Sequence, residues 1–446
     1  MGDWHIIAQR PARKTAGRSP REQAAPAEPK QQAGEEGVKI PFGKNPWWVV
    51  VAAVAGLTVG NGALIQYSFG AFLKPLAGAL NADRGTLSTA VLIAFMAAGI
   101  FTPVVGHLVD RYGVRRVQLP GIVLFALSIA ALSLTPPSPY AFIALYGLAG
   151  AISAGQSPLG YSKSVAGNFE ARRGLALGVA ISGVGLGAAL VPQLAQFLIT
   201  HIGWRGAYVG LGAFVFIAGF PAALLLLREP AAAGSARNPQ GPGMTGREAL
   251  GTRELWYLTY AFAVLVATGT GVFAHVVPML TDRGISAQVA VSAISAAGVA
   301  LIFGRLIAGY LLDRVFAPYV AQIFLLVPLL GIGLLYLSVT PTIAIIATAG
   351  VGLGVGAEVD LMAYMTSRYF GMRSFGQIYS YMFALFTFAS GLGPFVMGVS
   401  FTRAGSYHPA IIAFAIGLVI ASGLVMSLGP YRYPAAAPAR LGNAAA

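Results

Sequence analysis

The chain of 446 residues is 56% hydrophobic and only 10% charged, far below the roughly 25% typical of soluble domains, which excludes a soluble enzyme or binding module. It contains no cysteine, which also excludes disulfides and thiolate metal sites. The net charge of +14 indicates membrane topology rather than a nucleic-acid partner, because the basic residues concentrate between apolar runs.

Apolar runs dominate the chain, each close to the ~20 residues that cross a hydrocarbon core of ~30 Å. They lack the amphipathic period of interfacial helices and the alternation of barrel strands. The sequence therefore predicts an all-α membrane protein with twelve transmembrane helices, over residues 47–73, 86–109, 117–135, 140–165, 174–199, 204–227, 254–280, 286–312, 318–338, 341–367, 375–400 and 408–430.

The segments between these runs define the predicted domains. Residues 1–45 contain no apolar segment, so we expect a disordered cytoplasmic tail and no cleavable signal peptide. The polar stretch 229–253, rich in Gly and Pro, separates six runs from six and predicts a cytoplasmic linker. Two six-helix bundles, 46–228 and 254–430, and a cytoplasmic tail, 431–446, complete the prediction.

The distribution of Lys and Arg predicts the orientation. With the N-terminus inside, 23 of these residues lie on the inner side and 5 on the outer side, while Arg305 falls within a span. The positive-inside rule then places both termini in the cytoplasm. We expect a multi-pass protein of the inner (plasma) membrane.

Two marker pairs indicate an internal repeat. "GHLVDRYGVRR" follows the second run and "GYLLDRVFAP" follows the eighth, with Gly106 and Gly309 lying 203 residues apart. Phe169 and Phe370, after the fourth and tenth runs, lie 201 residues apart. Two pseudo-symmetric halves of six helices are typical of a transporter with its site between the halves near the midplane.

The residues 106–116, G-x-x-x-D-R-x-G-x-R-R, resemble the loop signature of the major facilitator superfamily. A glycine there permits close helix packing, and the charges can pair with helix ends on one side of the membrane only. The resemblance implies the major facilitator fold and a conformational latch, to which we assign Gly106, Asp110, Arg111, Arg115, Arg116, Asp313, Arg314, Arg172 and Arg173.

The stretch "NFEARRGLALGVAISGVGLG" (168–187) resembles the fifth-helix signature of the monocarboxylate transporter family. "GWRGAY" (203–208) and "GAEVDLMAYMTSRYFG" (356–371) are similar to the bacterial branch of that family, which borders the oxalate:formate antiporters. Asn168 stands where the family has an aromatic residue, and Ala171 replaces a usual basic residue. The resemblance covers about residues 47–430 and implies transport by alternating access.

Arg305 is the principal candidate for substrate binding. A charge at the bilayer centre costs at least ~2.5–3.5 kcal/mol, so it normally faces a cavity or a partner. Its planar guanidinium matches a carboxylate, and the resemblance implies a substrate-binding arginine on the eighth helix. Alternatively, Arg305 forms a structural ion pair with Asp360 or Glu358, which the spacing places at similar depth, or snorkels inward.

The sequence leaves the proton acceptor open. Relatives of known proton coupling carry an acid four residues before the arginine, where this chain has Leu301. The candidates are His275, whose imidazole titrates near physiological pH, and the intramembrane acids Glu358 and Asp360.

Further polar side chains within the spans are candidates for substrate contact, each with interface packing as the alternative. The family's lysine aligns with Tyr67, which leaves Arg305 as the main fixed cation and favours a single substrate carboxylate. Tyr379 is a further tyrosine of this kind. The predicted substrate-binding set is Arg305, Tyr67, Gln66, Asn61, Tyr146, Gln156, His275 and Tyr364.

The predicted function is secondary active transport of a monocarboxylate such as lactate or pyruvate, coupled to protons. The alternatives are an oxalate/formate-type organic anion antiporter, a drug/proton exporter that uses the buried acids, and a nutrient sensor. An enzyme is not expected, because HExxH and nucleophile–His–acid clusters are absent. We expect a small organic anion, a proton and the lipid bilayer as partners, no nucleic acid, no metal or other cofactor, and a monomeric functional unit.

Overall fold

The computed structural model describes residues 45–169, 173–229, 243–337 and 340–433, but not the side chains of Asp110 and Arg173. Arg172 of the predicted latch and nearly all of the two predicted tails lie outside the described residues. The prediction of a disordered N-terminal tail therefore stays a prediction.

The first half begins with a helix of three segments, α1: Trp47–Thr58, the π-helix Gly62–Tyr67, and Phe69–Leu80. One helical run, Arg173–Phe214, is broken at Gly203 (φ 70°, ψ 170°), a left-handed conformation that favours glycine, and so forms two spans. The remaining helices of this half are α2 (Arg84–Tyr112), α3 (Val114–Ala131), α4 (Pro139–Ser153 and Pro158–Asn168), α5 (173–202) and α6 (204–226).

The second half follows a short linker helix, Gly246–Leu250, which Thr245 and Glu248 cap reciprocally. Its spans begin at typical caps, with the Ser286 side chain accepting from Val289 and the Thr340 side chain from Ile343. These spans are α7 (Arg253–Asp282), α8 (Ala287–Leu312), α9 (Ala317–Leu337), α10 (Pro341–Phe370), α11 (Phe375–Ala404) and α12 (His408–Met426).

Ten helical stretches in the described residues are long and apolar enough to cross a membrane. One of them, Leu175–Leu226, has 52 residues, more than twice the ~20 needed for one crossing, and turns back at Gly203. A further crossing is α4, whose longest regular piece has only 15 residues. The all-helical multi-pass fold is confirmed, and the structure is consistent with twelve crossings.

Buried apolar side chains form two clusters. One comes from residues 49–227 with Ala274, and the other from residues 249–428 with Tyr67 and Ala188. The predicted boundaries at 46–228 and 254–430 stay a prediction. Beyond α12, residues 431–433 pack against the second half, where the Tyr431 hydroxyl accepts from the Ala317 amide and the Tyr433 amide donates to the Arg368 carbonyl.

The halves meet along α2 with α11, α5 with α8, and α1 with α7. The α5–α8 contact depends on small residues: a Cβ at Gly298 would lie 2.5 Å from the Ala189 amide nitrogen and 2.7 Å from the Gly185 carbonyl oxygen. Because no side chain fits into that space, glycine permits the two backbones to touch.

The described hydrogen bonds between the halves lie toward the end of the bundle where α1 finishes at Leu80. Positive-inside counting predicts that this end faces the cell exterior, and we call it the outer end. The Gln193 side chain donates to Ser295 at 3.1 Å, and Thr402 donates to Asp83 at 2.7 Å. The halves are therefore joined by polar contacts at the outer end.

We expect Gly298→Ala to lower the apparent Tm of the detergent-solubilised protein by several degrees, because the added methyl group displaces the α5 backbone. Gly309→Ala on the same helix is the matched control, since nothing lies within 4 Å of a Cβ there. It should be neutral or slightly stabilising, because alanine favours the helix. Equal Tm values for the two variants would contradict the packing argument.

Candidate functional site

The intramembrane charges meet between α8 and α10. The Arg305 Nε lies 3.3 Å from Asp360 Oδ2, with 13% of the Arg305 side chain and 36% of the Asp360 side chain exposed. The two helices approach closely because Gly304 lies against the backbone of Leu353, and Gly356 against that of Leu301. Glycine packing thus sets the distance between the two charges.

This ion pair leaves hydrogen-bonding capacity unused. Arg305 Nε and Nη1 are buried without hydrogen-bond partners, and so is Asp360 Oδ2, because the pair does not meet hydrogen-bond geometry. Buried polar groups are normally satisfied, and each exception requires an explanation. A guanidinium with two free buried donors can accept a planar carboxylate.

Glu358 lies on another side of α10, since two residues are about 200° apart on a helix. Its side chain is buried at 4% exposure, and Oε2 has no hydrogen-bond partner among the described residues. Tyr67, from the first half, is close enough to Glu358 and Arg305 to interact with them electrostatically. Tyr379 on α11 interacts in the same way with Arg305, Asp360 and Glu358. We call Arg305, Asp360, Glu358, Tyr67 and Tyr379 the central cluster.

An aromatic row on α11 adjoins the central cluster through Tyr379. Phe375, Tyr379, Phe383 and Phe386 stack in succession, with ring centroids 5.5–5.8 Å apart and interplanar angles of 18–19°. The three phenylalanines are not among the site residues predicted from the sequence, although their spacing of three and four residues marks one helix face. They supply an apolar surface beside the charges.

Three predicted substrate ligands form hydrogen bonds between α1 and α4, and their role in substrate binding stays a prediction. The Asn61 amide donates to Ser153 Oγ at 2.9 Å, and the Gln156 amide donates to the Gly56 carbonyl at 3.4 Å. The Tyr146 hydroxyl donates to the Ile65 carbonyl at 2.7 Å, inside the π-helical segment of α1. This segment also carries Gln66, which is buried, and it places Tyr67 in the central cluster.

Tyr364 lies apart from the central cluster contacts. Its hydroxyl accepts from Arg368 Nη2 at 3.2 Å, and its ring faces the same guanidinium, 4.8 Å from Arg368 Cζ. Since Arg368 lies in the last turn of α10, this tyrosine belongs to the inner part of the helix.

His275 lies at the outer contact between the halves, not beside Arg305. Its fully buried ring places Nε2 2.9 Å from the Pro394 carbonyl and 3.1 Å from Ser88 Oγ, so Nε2–H donates. The other nitrogen, Nδ1, lies 3.3 Å from the Tyr407 hydroxyl, which can donate to it. A neutral imidazole therefore satisfies both nitrogens within this structural network.

Above His275, one carboxylate joins both halves. Asp282, on α7 of the second half, accepts hydrogen bonds from Arg84 at 2.5 and 3.0 Å and lies 2.7 Å from Lys74 Nζ. Both cations belong to the first half. Arg84 also donates to the Tyr407 hydroxyl at 2.5 Å, and its guanidinium lies 3.8 Å from the centroid of the Phe401 ring. We call these residues the outer cluster.

Asp83 adds a second acid at this end. Burial raises its pKa, but hydrogen bonds from Thr86 and Thr402 outweigh burial and lower the pKa to about 2. Asp83 is therefore ionised throughout the physiological range. This contact between the halves does not titrate there.

The contacts of Gly106, Arg111, Arg115 and Arg314 lie within their own half. Gly106 packs beside Leu159, Arg111 faces the Tyr112 ring, and Arg314 donates to the Tyr310 carbonyl at 3.1 Å. Arg116 and Asp313 are exposed, and the side chains of Asp110 and Arg173 lie outside the description. The latch assignment stays a prediction.

Glu229, which the sequence analysis did not single out, anchors the inner end of the first half. Its carboxylate accepts from the amides of Val114 and Arg115, both at 2.9 Å, at the start of α3. Gly113 adopts φ 90°, and a Cβ there would lie 2.7 Å from Glu229 Oε1. A carboxylate at a helix N-terminus is favourable, so this contact ties the start of the linker to α3. Gly113 of the 106–116 motif is thus required both by its positive φ and by the close approach of Glu229.

Among the described residues, no group of three or more His, Asp and Glu side chains could hold a metal ion. The central cluster is instead a set of one cation, two acids and two phenols.

Comparisons with known proteins agree with this architecture. The family model of the Major Facilitator Superfamily matches residues 55–394. Monocarboxylate transporter 11 of Mus musculus is 28% identical over 403 residues, which cover 85% of this chain and 87% of that protein. YcxA of Bacillus subtilis (strain 168), described as an uncharacterized MFS-type transporter, is 27% identical over 314 residues, covering 64% and 72%.

A solved structure shows the same fold. The chain aligns with a bacterial homologue of the human lysosomal transporter Spinster, crystallised in an inward-facing and occupied conformation, at a TM-score of 0.68. The alignment covers 86% of this chain and 97% of the other, with 16% sequence identity, so the likeness concerns the fold alone.

The ion pair at the central cluster can be tested by stability. Arg305→Gln and Asp360→Asn should each lower the apparent Tm, because either change leaves one buried charge without its partner. The double variant should recover part of that loss, giving a coupling of about 0.5–3 kcal/mol for groups in contact. Additive losses in the thermal-shift measurement would show that the two charges do not interact.

Proposed function

Since the chain belongs to the Major Facilitator Superfamily, we propose that this membrane transporter carries a monocarboxylate such as lactate or pyruvate, together with a proton, by alternating access. The observation that carries the proposal is the buried guanidinium of Arg305, with two nitrogen atoms that lack hydrogen-bond partners. The similarity to monocarboxylate transporters supports the same substrate class.

Arg305 would bind the substrate carboxylate through its planar fork of donors. Tyr67 approaches from the first half, so a molecule held between Arg305 and Tyr67 contacts both halves. Such a bridging position is where secondary transporters place their substrates. The phenylalanines of α11 would then cover the small apolar part of the anion.

Charge balance supports coupling to a proton. The Arg305–Asp360 pair is balanced before a substrate binds, and a substrate carboxylate adds one uncompensated negative charge, which is costly within the bilayer. A proton on Asp360 cancels this added charge and frees the guanidinium for the substrate. Asp360 is a better candidate for the proton acceptor than Glu358, because it already contacts Arg305 and 36% of its side chain is exposed. His275 is less suited, since both its nitrogens are engaged at the outer end.

The contacts at the outer end support a cycle in which this structure is the conformation closed to the outside. We infer that the termini face the cytoplasm of a cell whose plasma membrane holds the protein as a functional monomer. Release of the substrate would then occur toward the cytoplasm.

Proteoliposomes containing the purified protein should accumulate labelled lactate or pyruvate when the outside is more acidic than the inside. Arg305→Ala should reduce this uptake at least about tenfold, the loss expected for a charged hydrogen-bond partner of the substrate. Arg305→Lys should retain part of it, since the charge remains but the fork is lost. Arg247→Gln, on the exposed linker helix, is the control; unchanged uptake by Arg305→Ala would remove the proposed site.

Asp360→Asn should abolish the stimulation of uptake by the pH gradient, because the neutral amide imitates the protonated state permanently. Exchange of internal for external substrate should continue, since loaded carriers need no proton release. Glu358→Gln is the matched comparison on the same helix. If that variant alone loses the pH response, Glu358 is the acceptor; if neither loses it, proton coupling through α10 is wrong.

Organic anion exchange is the second candidate, favoured by Leu301, which replaces the acid of proton-coupled relatives. In vesicles without a pH gradient, internal unlabelled anion should then strongly stimulate uptake of labelled oxalate or formate. Dependence on the pH gradient with little such stimulation favours symport instead.

A further inference from the structure

The outer cluster has the composition of a carboxylate-binding site. Arg84 contacts both oxygens of Asp282, at 2.5 and 3.0 Å, and Lys74 Nζ lies 2.7 Å from one of them. A bidentate guanidinium with an added ammonium is a strong arrangement for carboxylate recognition. In this structure the carboxylate belongs to the protein itself.

The two cations are held together by their own half. Lys74 lies in the last segment of α1 and Arg84 is the first residue of α2, and only a tight turn separates the helices. Asn81 ends α1 in the left-handed conformation, and the Asp83 side chain caps α2 by accepting from the Thr86 amide. Asp282, in contrast, comes from the second half.

Any separation of the halves at the outer end must therefore remove Asp282 from both cations at once. Lys74 and Arg84 would remain as neighbours on the first half, facing the opened path. Their present exposure, 40% for Lys74 and 12% for Arg84, shows that the site already borders the surface.

This position lies in series with the central cluster. Arg305 is 18 residues beyond Ala287, the outer start of α8, or roughly 27 Å at 1.5 Å per residue. The two positive sites are thus too far apart to hold one small anion together. Each can act at a different stage of transport.

We propose that Lys74 and Arg84 form an outer capture site for carboxylate anions, and that Asp282 occupies this site while the outer end is closed. The inference rests on the proposed function, since it requires a carboxylate substrate. Asp282 then has two effects: it closes the outer end, and it competes with the incoming substrate for the same cations.

The competition separates this proposal from a purely structural contact. Loss of any of the three charges weakens closure. Loss of Asp282, however, leaves the capture site without its competitor, whereas loss of a cation removes part of the site. All three changes therefore weaken closure, but loss of Asp282 should raise the apparent affinity for external substrate, whereas loss of Lys74 or Arg84 should lower it.

The experiment measures lactate uptake in right-side-out and inverted membrane vesicles. Lys74→Gln and Arg84→Gln should raise the external KM about twofold to fivefold, the size of a partly exposed charge contact, while Asp282→Asn should lower it. The KM measured from the opposite face, in inverted vesicles, should change less in every case. Lys74→Arg, which keeps the charge, should stay near the wild-type value.

Closure is measured independently through accessibility. Because the chain contains no cysteine, Ser88→Cys introduces the only thiol, at a position fully buried between the halves. A membrane-impermeant maleimide should label it faster in all three neutralised variants than in the Ser88→Cys parent. Faster labelling shows that the outer contact has weakened, and saturable lactate uptake by the same variant shows that it is folded.

The outcomes are distinct. External KM values that move in the same direction for all three variants, with faster labelling, would show a closing contact without a capture role and overturn the proposal. Unchanged KM values would also overturn it. If the wild-type protein transports no monocarboxylate at all, the proposed function fails and the capture site fails with it.

Discussion

The fold depends on one constraint, the presence of an arginine charge inside a bilayer. Arg305 lies deep in α8, and an isolated charge at that depth would oppose insertion. The chain solves this by pressing α8 against α10 at Gly304 and Gly356, which brings Asp360 within 3.3 Å of the guanidinium. Because the acid stands on another helix, the pair also fixes how those helices pack. The central cluster is thus a property of two helices in register, and a change in their packing changes its electrostatics.

A second consequence is the uneven distribution of polar contacts along the bundle. Between the halves, the described hydrogen bonds gather toward the outer end, where Asp282 joins two cations and His275 joins Ser88 to Tyr407. At the inner end the contacts of Gly106, Arg111, Arg115 and Arg314 lie within their own half. This asymmetry is what alternating access requires of one conformation, since contacts made at both ends would prevent either from opening. The conformation open to the outside must break these outer contacts. Because their charges are partly solvated, breaking them costs little free energy.

The sequence predicted the helices well, because ~20 apolar residues bounded by polar loops leave few alternatives. It also predicted that Arg305 could pair with an acid of α10, since depth follows from residue counts. It could not assign partners among neutral polar residues: Asn61, Tyr146 and Gln156 form hydrogen bonds between α1 and α4. Their side chains depend on the rotation of each helix, and the π-helical segment of α1 changes that rotation locally. His275 forms its contacts with a backbone carbonyl and two hydroxyl groups, and such a network has no local signal in the sequence.

The two positive sites share one design. In each, a carboxylate of the protein contacts the cation that we propose for the substrate: Asp360 at Arg305, and Asp282 at Arg84 and Lys74. An unpaired cation in a low-dielectric passage is costly, so an internal acid stabilises the transporter when it is empty. The same acid lowers the apparent affinity for the substrate, because the substrate binds the cation only when it displaces the acid or when the acid is protonated. A ligand shifts a conformational equilibrium only through a difference in affinity between states. Since Asp282 belongs to one half and its cations to the other, replacing that acid by a substrate carboxylate supplies such a difference, and binding would thereby favour opening of the outer end.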